Sequence, residues 1–563
     1  MPGDTTKPWL EQYPDSWPED IDYPEISVPE LLQRRAEEYA DNTALVFQGR
    51  ELTYSDLLGA VQRTAAGLQE LGVSQGDHVS ICMPNVPQFT FSFYGVQWLG
   101  GVTVHTSHLY SERELNQILR RTDATTMIVL DECLPEVDAV IDDSSVETVV
   151  VTSFAEFVSP DIEDFVSPSN ADIVDRRGWH WFDDVTDTAA DPPDIAADID
   201  DTASMLHTGG TTGFPKSVPV THRYWVMTSA QGELIDLAAY EDEGIDRGRH
   251  TMTGLMPMFH LNGNWTANLY AVYNGGSVVM YSDFQPELVL RDIEQHGITH
   301  MHVVPTMLTA LLNHPKRENT DFSSLEHLAV ASAPVPQSKK DQIEEITGAT
   351  IFELYGQTET AFTTAEPLTN RREGSCGIPV SSVQIDVVDV DTHESLPPGE
   401  VGEFVAKVAD HTMSGYYKNQ EETDRTIIDG WIHTDDMGYR DEDWFFYHVD
   451  RRDDMIITSG HNVYPAEVEE VLHGSPRVGE VAVIGTPDDF RGERVTAFIE
   501  LEDEVDMSIG DLEVELTSFC EEQLAEYKVP QEFRFRDRLP RTDVGKISRS
   551  TLEDEFDTND EAV

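Results

Sequence analysis

The chain has 563 residues, too many for one ordinary hydrophobic core, so two or more domains are expected. Asp and Glu number 105 against 37 Lys and Arg, and the net charge of −68 is spread along the whole length. No basic stripe exists to neutralise nucleic-acid phosphates, and the 39% hydrophobic content with nine tryptophans excludes a disordered acidic protein.

The charge reads as a solvated acidic surface suited to a high-salt cytoplasm, where dense salt screens self-repulsion. Cys82, Cys133, Cys376 and Cys520 lie far apart with no C-x-x-C, which argues against a disulfide framework or a zinc site and fits a reducing cytoplasm. The opening "MPGDTTKPWLEQYPDSWPEDIDYPE" is polar and proline-rich, unlike a signal peptide.

In chain order, 28–42 and 53–73 carry helical apolar periodicity, and "HVSICMP", "TTMIVLD" and "VETVVVT" read as strands. Phe89 to Ser107 is the most apolar run, but Gln97 and Gly100-Gly101 divide it into a buried helix, a turn and a strand rather than a membrane span. Alternating helices and strands predict an α/β fold with a largely parallel sheet. Residues 159–201 are acidic and contain prolines, as expected of a surface excursion. Residues 374–407 alternate at period two around Pro397-Pro398-Gly399 and predict a small antiparallel unit. Beyond Arg451 a strand, a loop, a helix opening at Pro465 and further strands predict a compact α+β domain.

The stretch "LHTGGTTGFPKSVPVTH" (Leu206 to His222) has the composition of a phosphate loop but not its ordinary pattern. Pro215, not glycine, precedes Lys216, and Ser217 to Thr221 is β-branched, predicting a second strand where a P-loop has a helix. Gly209, Gly210 and Gly213 permit an anion nest of backbone N–H groups. Thr208, Thr211 and Thr212 add hydroxyls, and Lys216 adds a charge. His300 and His302 share one strand face, but with no third ligand evident they predict no metal site.

Together with this loop, "MPMFHLNGNW", "ASAPVP", "ELYGQTET", "GWIHTDDMG", "DRRDDMIITSGHNVYPAEVE" and "LPRTDVGKISR" follow one order. In that order the chain resembles, over essentially its whole length, the acyl-adenylate-forming enzymes: acyl-CoA synthetases, luciferase-like enzymes and peptide-synthetase adenylation domains. The form "TGGTTG" is similar to that of fatty acyl-CoA synthetases. The resemblance implies a large N-terminal domain, 1–452, of stacked α/β subdomains plus a small β unit. A small mobile α+β lid, 453–563, would follow, turning about a hinge at Asp453.

The resemblance also implies the roles. Thr208 to Lys216 would hold the β/γ-phosphates of ATP, and Glu359 with Thr208 would hold Mg²⁺. Thr358 would contact the α-phosphate, and Tyr355, Gly356, Ala333 and Pro334 would line the adenine. Asp436 would hold the ribose and Arg451 ribose and phosphate oxygens. Asp435 stands where the family usually has glycine. Lys546 would stabilise the adenylation transition state, and His260 would sit beside the acyl and coenzyme A path. Gly460 would line the thiol tunnel. Asn264 and Trp265 lie near the tryptophan gate proposed for similar enzymes, offset by one residue.

The implied activity is a medium- or long-chain fatty acid–CoA ligase. An aromatic or short-chain ligase, an enzyme loading a carrier-protein thiol, a luciferase-like oxygenase and a silent adenylate binder remain alternatives. Intact Lys216, Glu359, Asp436 and Lys546 argue against the silent binder. The oligomeric state, with a homodimer as one option, is left open.

Overall fold

The computed structural model describes residues 7–157, 176–208, 215–237, 247–330, 335, 337–408, 413–459, 461–488, 490–501, 507–542 and 546–560. These residues build four sheets. A seven-stranded sheet has the strands Trp179–Trp181, Thr148–Thr152, Thr126–Leu130, His78–Cys82, Val102–Thr106 and Thr202–His207 in parallel. The antiparallel strand Ser217–Thr221 closes its edge. In the nine-stranded sheet the parallel centre runs through Thr350–Gln357, His327–Val330, His300–Val303, Thr251–Gly254, Ser277–Met280 and Thr43–Phe47.

Both sheets are covered by helices whose sequences leave them no other place. Every residue of helix Pro87–Trp98 is buried, consistent with its lack of a polar face. Burying Phe89, Phe91 and Phe93 contributes about 1.5–3 kcal/mol each. Just before this helix, Asn85 donates to the carbonyls of Gly254 (3.1 Å) and Met256 (2.9 Å) and accepts from Met258 N–H (2.8 Å). That one amide fixes the chain leading to His260.

The predicted antiparallel unit is larger than its sequence pattern. Val383–Val388 and Gly402–Val408 are joined by Ile427–Ile428, Trp431–Arg440 and Phe446–Arg451 in one five-stranded sheet. The C-terminal sheet contains His461–Val463, Ile456–Thr458, Gly492–Leu501, Val478–Asp488 and Glu532–Arg536, with helix Pro465–His473 packed on it through Val468 and Leu472. Among the described residues no helix is long and apolar enough to cross a membrane.

Two expectations need correction, and one contact between cysteines was not foreseen. The acidic excursion is not all surface: 158–175 lie outside the described residues, but Trp179, Phe182 and Val185 are buried in the main core. Their apolar side chains outweigh the acidic flanks. The cysteines are free and buried, yet Cys82 contacts Cys133 despite their separation in sequence, and that contact together with burial pushes the Cys82 thiol well up. His300 has further potential ligands after all, supplied by Asp236 and His250 from other elements.

Strand Thr350–Gln357, which delivers the "YGQTE" motif, is anchored by a buried ion triad. Lys340 Nζ lies 2.9 Å from both Glu353 and Glu366. Glu353 also accepts from Val335 N–H at 3.1 Å. Removing the lysine alone would leave two buried carboxylates without their cation. Lys340→Met is therefore expected to destabilise the N-terminal domain by about 3–5 kcal/mol, read as a lower urea midpoint.

Candidate active site

Strand Trp431–Arg440 pairs with Phe446–Arg451 so that Asp436 lies directly opposite Arg451. Asp436 is buried, and its carboxylate accepts from Tyr355 Oη (2.8 Å) and Gln357 Nε2 (2.6 Å). His448 Nε2 at 3.7 Å and Arg451 at 3.4 Å face its other oxygen. Burial pushes the Asp436 carboxyl up, but His448, Arg451 and Tyr355 more than reverse this and hold it below the usual carboxylate range.

Tyr355, Gly356, Gln357, Thr358 and Glu359 reach this point because the strand bulges between Tyr355 and Gly356. A Cβ on Gly356 would stand 1.9 Å from the Ala361 carbonyl oxygen, so only glycine fits the close approach of the two strands. Tyr355 lies beside His448 and edge-on to Phe404. Tyr224 Oη donates to the Thr358 carbonyl at 3.1 Å.

The phosphate-type loop joins the hairpin Thr202–His207 and Ser217–Thr221, as the β-branched flank predicts. Gly209, Gly210, Thr211, Thr212 and Gly213 lie outside the described residues. At its base Thr208 N–H donates to the Lys216 carbonyl at 3.0 Å. Lys216 Nζ is 2.7 Å from Glu422 and 4.9 Å from the centroid of the Tyr416 ring. The same tyrosine donates to Glu359 at 2.7 Å. Burial raises the Glu359 carboxyl against the pull of Tyr416, Lys216 and Arg451. Loop lysine and buried glutamate thus meet at one side chain. Tyr416, Glu422, Gln357 and His448 had no signal of their own, because each becomes part of the site only through its partner.

Lys546 comes from the C-terminal domain. It is exposed at the surface, where surrounding protein and Arg451 lower its pKa and Asp436 raises it. His260 lies within the field of Lys546, and burial with that charge pushes it down to about 4. His260 also influences His207 and His105, which burial pushes down to about 3. His207 adjoins the phosphate-type loop, and its Nδ1 meets Ser217 Oγ at 3.2 Å. Its Nε2, His260 Nε2 and Arg451 Nε are buried without a hydrogen-bond partner among the described residues, as polar atoms awaiting a ligand would be.

Trp265 is not an open gate. It starts a π-helical turn, Trp265–Tyr270, stacks on Tyr270 and meets Phe362 and His302 edge-on. A Cβ at Gly232 would come within 2.5 Å of its ring. The indole fills the wall between helix His222–Leu237 and the nine-stranded sheet. Asp453 is exposed between strands Phe446–Arg451 and Ile456–Thr458. Ala333, Pro334 and Gly460 lie outside the described residues.

The structure pairs Asp436 with Arg451 and joins Lys216 to Glu359 through Tyr416. The chain belongs to the AMP-binding enzymes: the family's main domain matches residues 32–417, and the AMP-binding enzyme C-terminal domain matches 467–546. It is 34% identical to a long-chain-fatty-acid–CoA ligase of Bacillus subtilis (strain 168), covering 98% of this chain and 99% of that one. It is 32% identical to a feruloyl-CoA synthase of an Amycolatopsis species, over 93% of this chain and 98% of the relative. Among solved structures, the anthranilate CoA ligase AuaEII in complex with anthranoyl-AMP superposes with a TM-score of 0.83 at 27% identity, covering 96% of this chain and 99% of that one.

The three depressed histidines give a signed pH dependence. Their folded values of about 3 to 4 lie below the ordinary 6.5, so below pH 6.5 the unfolded chain binds more protons. Stability from keeping them neutral is complete above about pH 6.5, is lost progressively as pH falls from 6.5 to about 4, and levels off below about 3. Chemical unfolding across pH 7 to 4 should show this decline, and His105→Asn should make it shallower.

Proposed function

We propose that the protein is an ATP-dependent acid–CoA ligase that forms an acyl-AMP, releases pyrophosphate and passes the acyl group to coenzyme A. The observation that carries this is Lys546 of the small domain standing in the field of the Asp436–Arg451 pair of the large domain. Full-length relatives named long-chain-fatty-acid–CoA ligase support a medium- or long-chain fatty acid. The feruloyl-CoA and anthranilate relatives favour, as the second reading, an aromatic acid.

In this reading Asp436 accepts from the ribose hydroxyls, and Tyr355, Gly356, Ala333 and Pro334 line the adenine. Thr358 contacts the α-phosphate, and Arg451 offers its unpartnered Nε to ribose or phosphate oxygens. The loop 208–216 takes the β/γ-phosphates through Thr208, Thr211, Thr212, the backbone of Gly209, Gly210 and Gly213, and Lys216, whose present partner Glu422 gives way to phosphate. The buried Glu359 carboxylate suits Mg²⁺, since burial disfavours its charge and a dication restores it; Glu359 and Thr208 would hold the ion, which would neutralise phosphate charge.

Lys546 meets the attacking carboxylate and the α-phosphate as charge shifts between them. Its partial desolvation strengthens that interaction. His260 is neutral at pH 7, so it can hydrogen-bond the substrate without adding charge. Rotation about Asp453 then withdraws Lys546 and brings Gly460 to the thiol path. The buried thiols and the acidic surface support a reducing, cytoplasmic, high-salt setting.

The test is pyrophosphate release in molar KCl from ATP, Mg²⁺ and a panel of carboxylic acids, with and without coenzyme A. Acyl-CoA formed best from a fatty acid is expected. Adenylate formation with no coenzyme A dependence would replace this reading with a carrier-protein thiol as acceptor. Lys546→Ala is expected to slow ATP–pyrophosphate exchange by about 10²–10³-fold. The same variant should bind ATP normally and still thiolyse a synthetic acyl-AMP, because Lys546 is absent from the second half-reaction.

A further inference from the structure

Three neighbouring parallel strands, Thr251–Gly254, His300–Val303 and His327–Val330, begin at one buried point. His300 and His327 are the first residues of their strands and pair directly, and His250 immediately precedes the third strand. Asp236, in the last turn of helix His222–Leu237, faces them. All four side chains are at most 5% exposed. None belongs to the nucleotide site.

The spacings are those of a coordination shell. His300 Nε2 is 3.4 Å from the Asp236 carboxylate and 3.2 Å from His327 Nδ1, and His327 Nδ1 is 3.3 Å from the same carboxylate. Ligands held about 2.0–2.1 Å from a tetrahedral ion lie about 3.3 Å apart. His250 places a ring nitrogen within 4.8 Å of the ligand atoms of Asp236 and His300.

Hydrogen bonding sets the direction of the His300 lone pair. Thr299 Oγ1 accepts from Thr251 N–H (3.0 Å) and donates to the Thr251 carbonyl (3.2 Å), so toward His300 Nδ1, 2.7 Å away, it acts as acceptor. His300 therefore carries its proton on Nδ1 and turns the Nε2 lone pair toward the carboxylate. Tyr270 Oη donates to Asp236 from outside the group. A histidine whose second nitrogen is tied to an oxygen and a carboxylate braced by a hydroxyl are the usual outer partners of metal ligands. A buried carboxylate facing two imidazole nitrogens needs a proton or a metal cation between them.

The geometry points to a buried zinc site formed by Asp236, His300 and His327, beside which His250 Nδ1 stands 3.4 Å from His300 Nδ1. Nitrogen and carboxylate donors suit Zn²⁺. The ion pins the end of helix His222–Leu237 to the sheet. Through Tyr270 it also braces Trp265, which stacks on that tyrosine.

The full-length protein is expressed with zinc and desalted, and its metal content is measured. About one zinc per chain is expected, lost in His300→Gln and His327→Gln and kept in His302→Gln, whose ring faces Trp265 instead. Chelator-stripped wild type titrated with Co²⁺ should show saturable tetrahedral absorption bands and a raised Tm. That titration decides the matter even if the variants fold poorly. No saturable Co²⁺ or Zn²⁺ binding by the wild type would overturn the site and leave a proton, as an imidazolium–carboxylate pair, as the cation. Zinc retained in both His300→Gln and His327→Gln would also overturn it, as surface binding.

Discussion

The buried Asp436 carboxylate is the constraint around which the site is organised. A carboxylate taken from water costs several kcal/mol unless donors replace its hydration. Here Tyr355, Gln357, His448 and Arg451 do so from two sheets and two sequence motifs. Satisfying one charge thus fixes the register between the "YGQTE" strand and the five-stranded sheet. The preceding residue shows how tightly the turn is specified. Asp435 has φ of +56°, in the left-handed region where glycine is easiest. Aspartate tolerates that conformation better than most residues, and the turn survives with Asp435 N–H donated to Glu403 at 3.1 Å and its carbonyl accepting from Arg452 at 2.8 Å. Aspartate thus holds a left-handed position here with both its backbone groups hydrogen-bonded.

The same economy holds the two domains together. Asp450 lies one residue before the end of strand Phe446–Arg451, yet its oxygens accept from Arg549 (3.0 Å) and from Ala466 N–H (2.7 Å) in the small domain. Arg549 also binds Asp454 at 2.7 Å and Glu469 at 2.8 Å. Because Arg549 follows Lys546 by only three residues, the cluster that docks the small domain also aims the lysine. The proposed rotation about Asp453 would give up the Asp450 contacts, so these ion pairs would oppose it.

Much of this was legible because the motifs carry backbone information. The β-branched run after Lys216 predicted a second strand, and Ser217–Thr221 is that strand, paired antiparallel with Thr202–His207. Pro465 opened a helix as expected. The gains beyond sequence are all long-range. Glu422 lies 206 residues from the lysine it pairs, and nothing local marks it. Cys82 and Cys133 meet because their segments adjoin in the seven-stranded sheet region, not because of spacing. His300 and His302 showed their shared strand face, but the partners of His300 come from a helix end and two neighbouring strands. Periodicity places a side chain on a face; only topology says what faces it.

The charge balance also shapes how the site receives its substrates. With so few cations, each one near the nucleotide already has an anion: Lys216 has Glu422, Arg451 has Asp436, and Lys546 feels Asp436. Phosphates entering such a site exchange one anion for another rather than meeting bare charges. The exchange is least costly where the displaced carboxylate keeps a partner, and Glu422 retains Arg425. Asp436 differs: in the proposed reading the ribose hydroxyls only add donors to a carboxylate that Tyr355 and Gln357 already hold. The carboxylate that yields is half-exposed at a helix start, and the one that stays is buried in a sheet. Burial therefore decides which of the two acids serves as a placeholder and which as a permanent ligand.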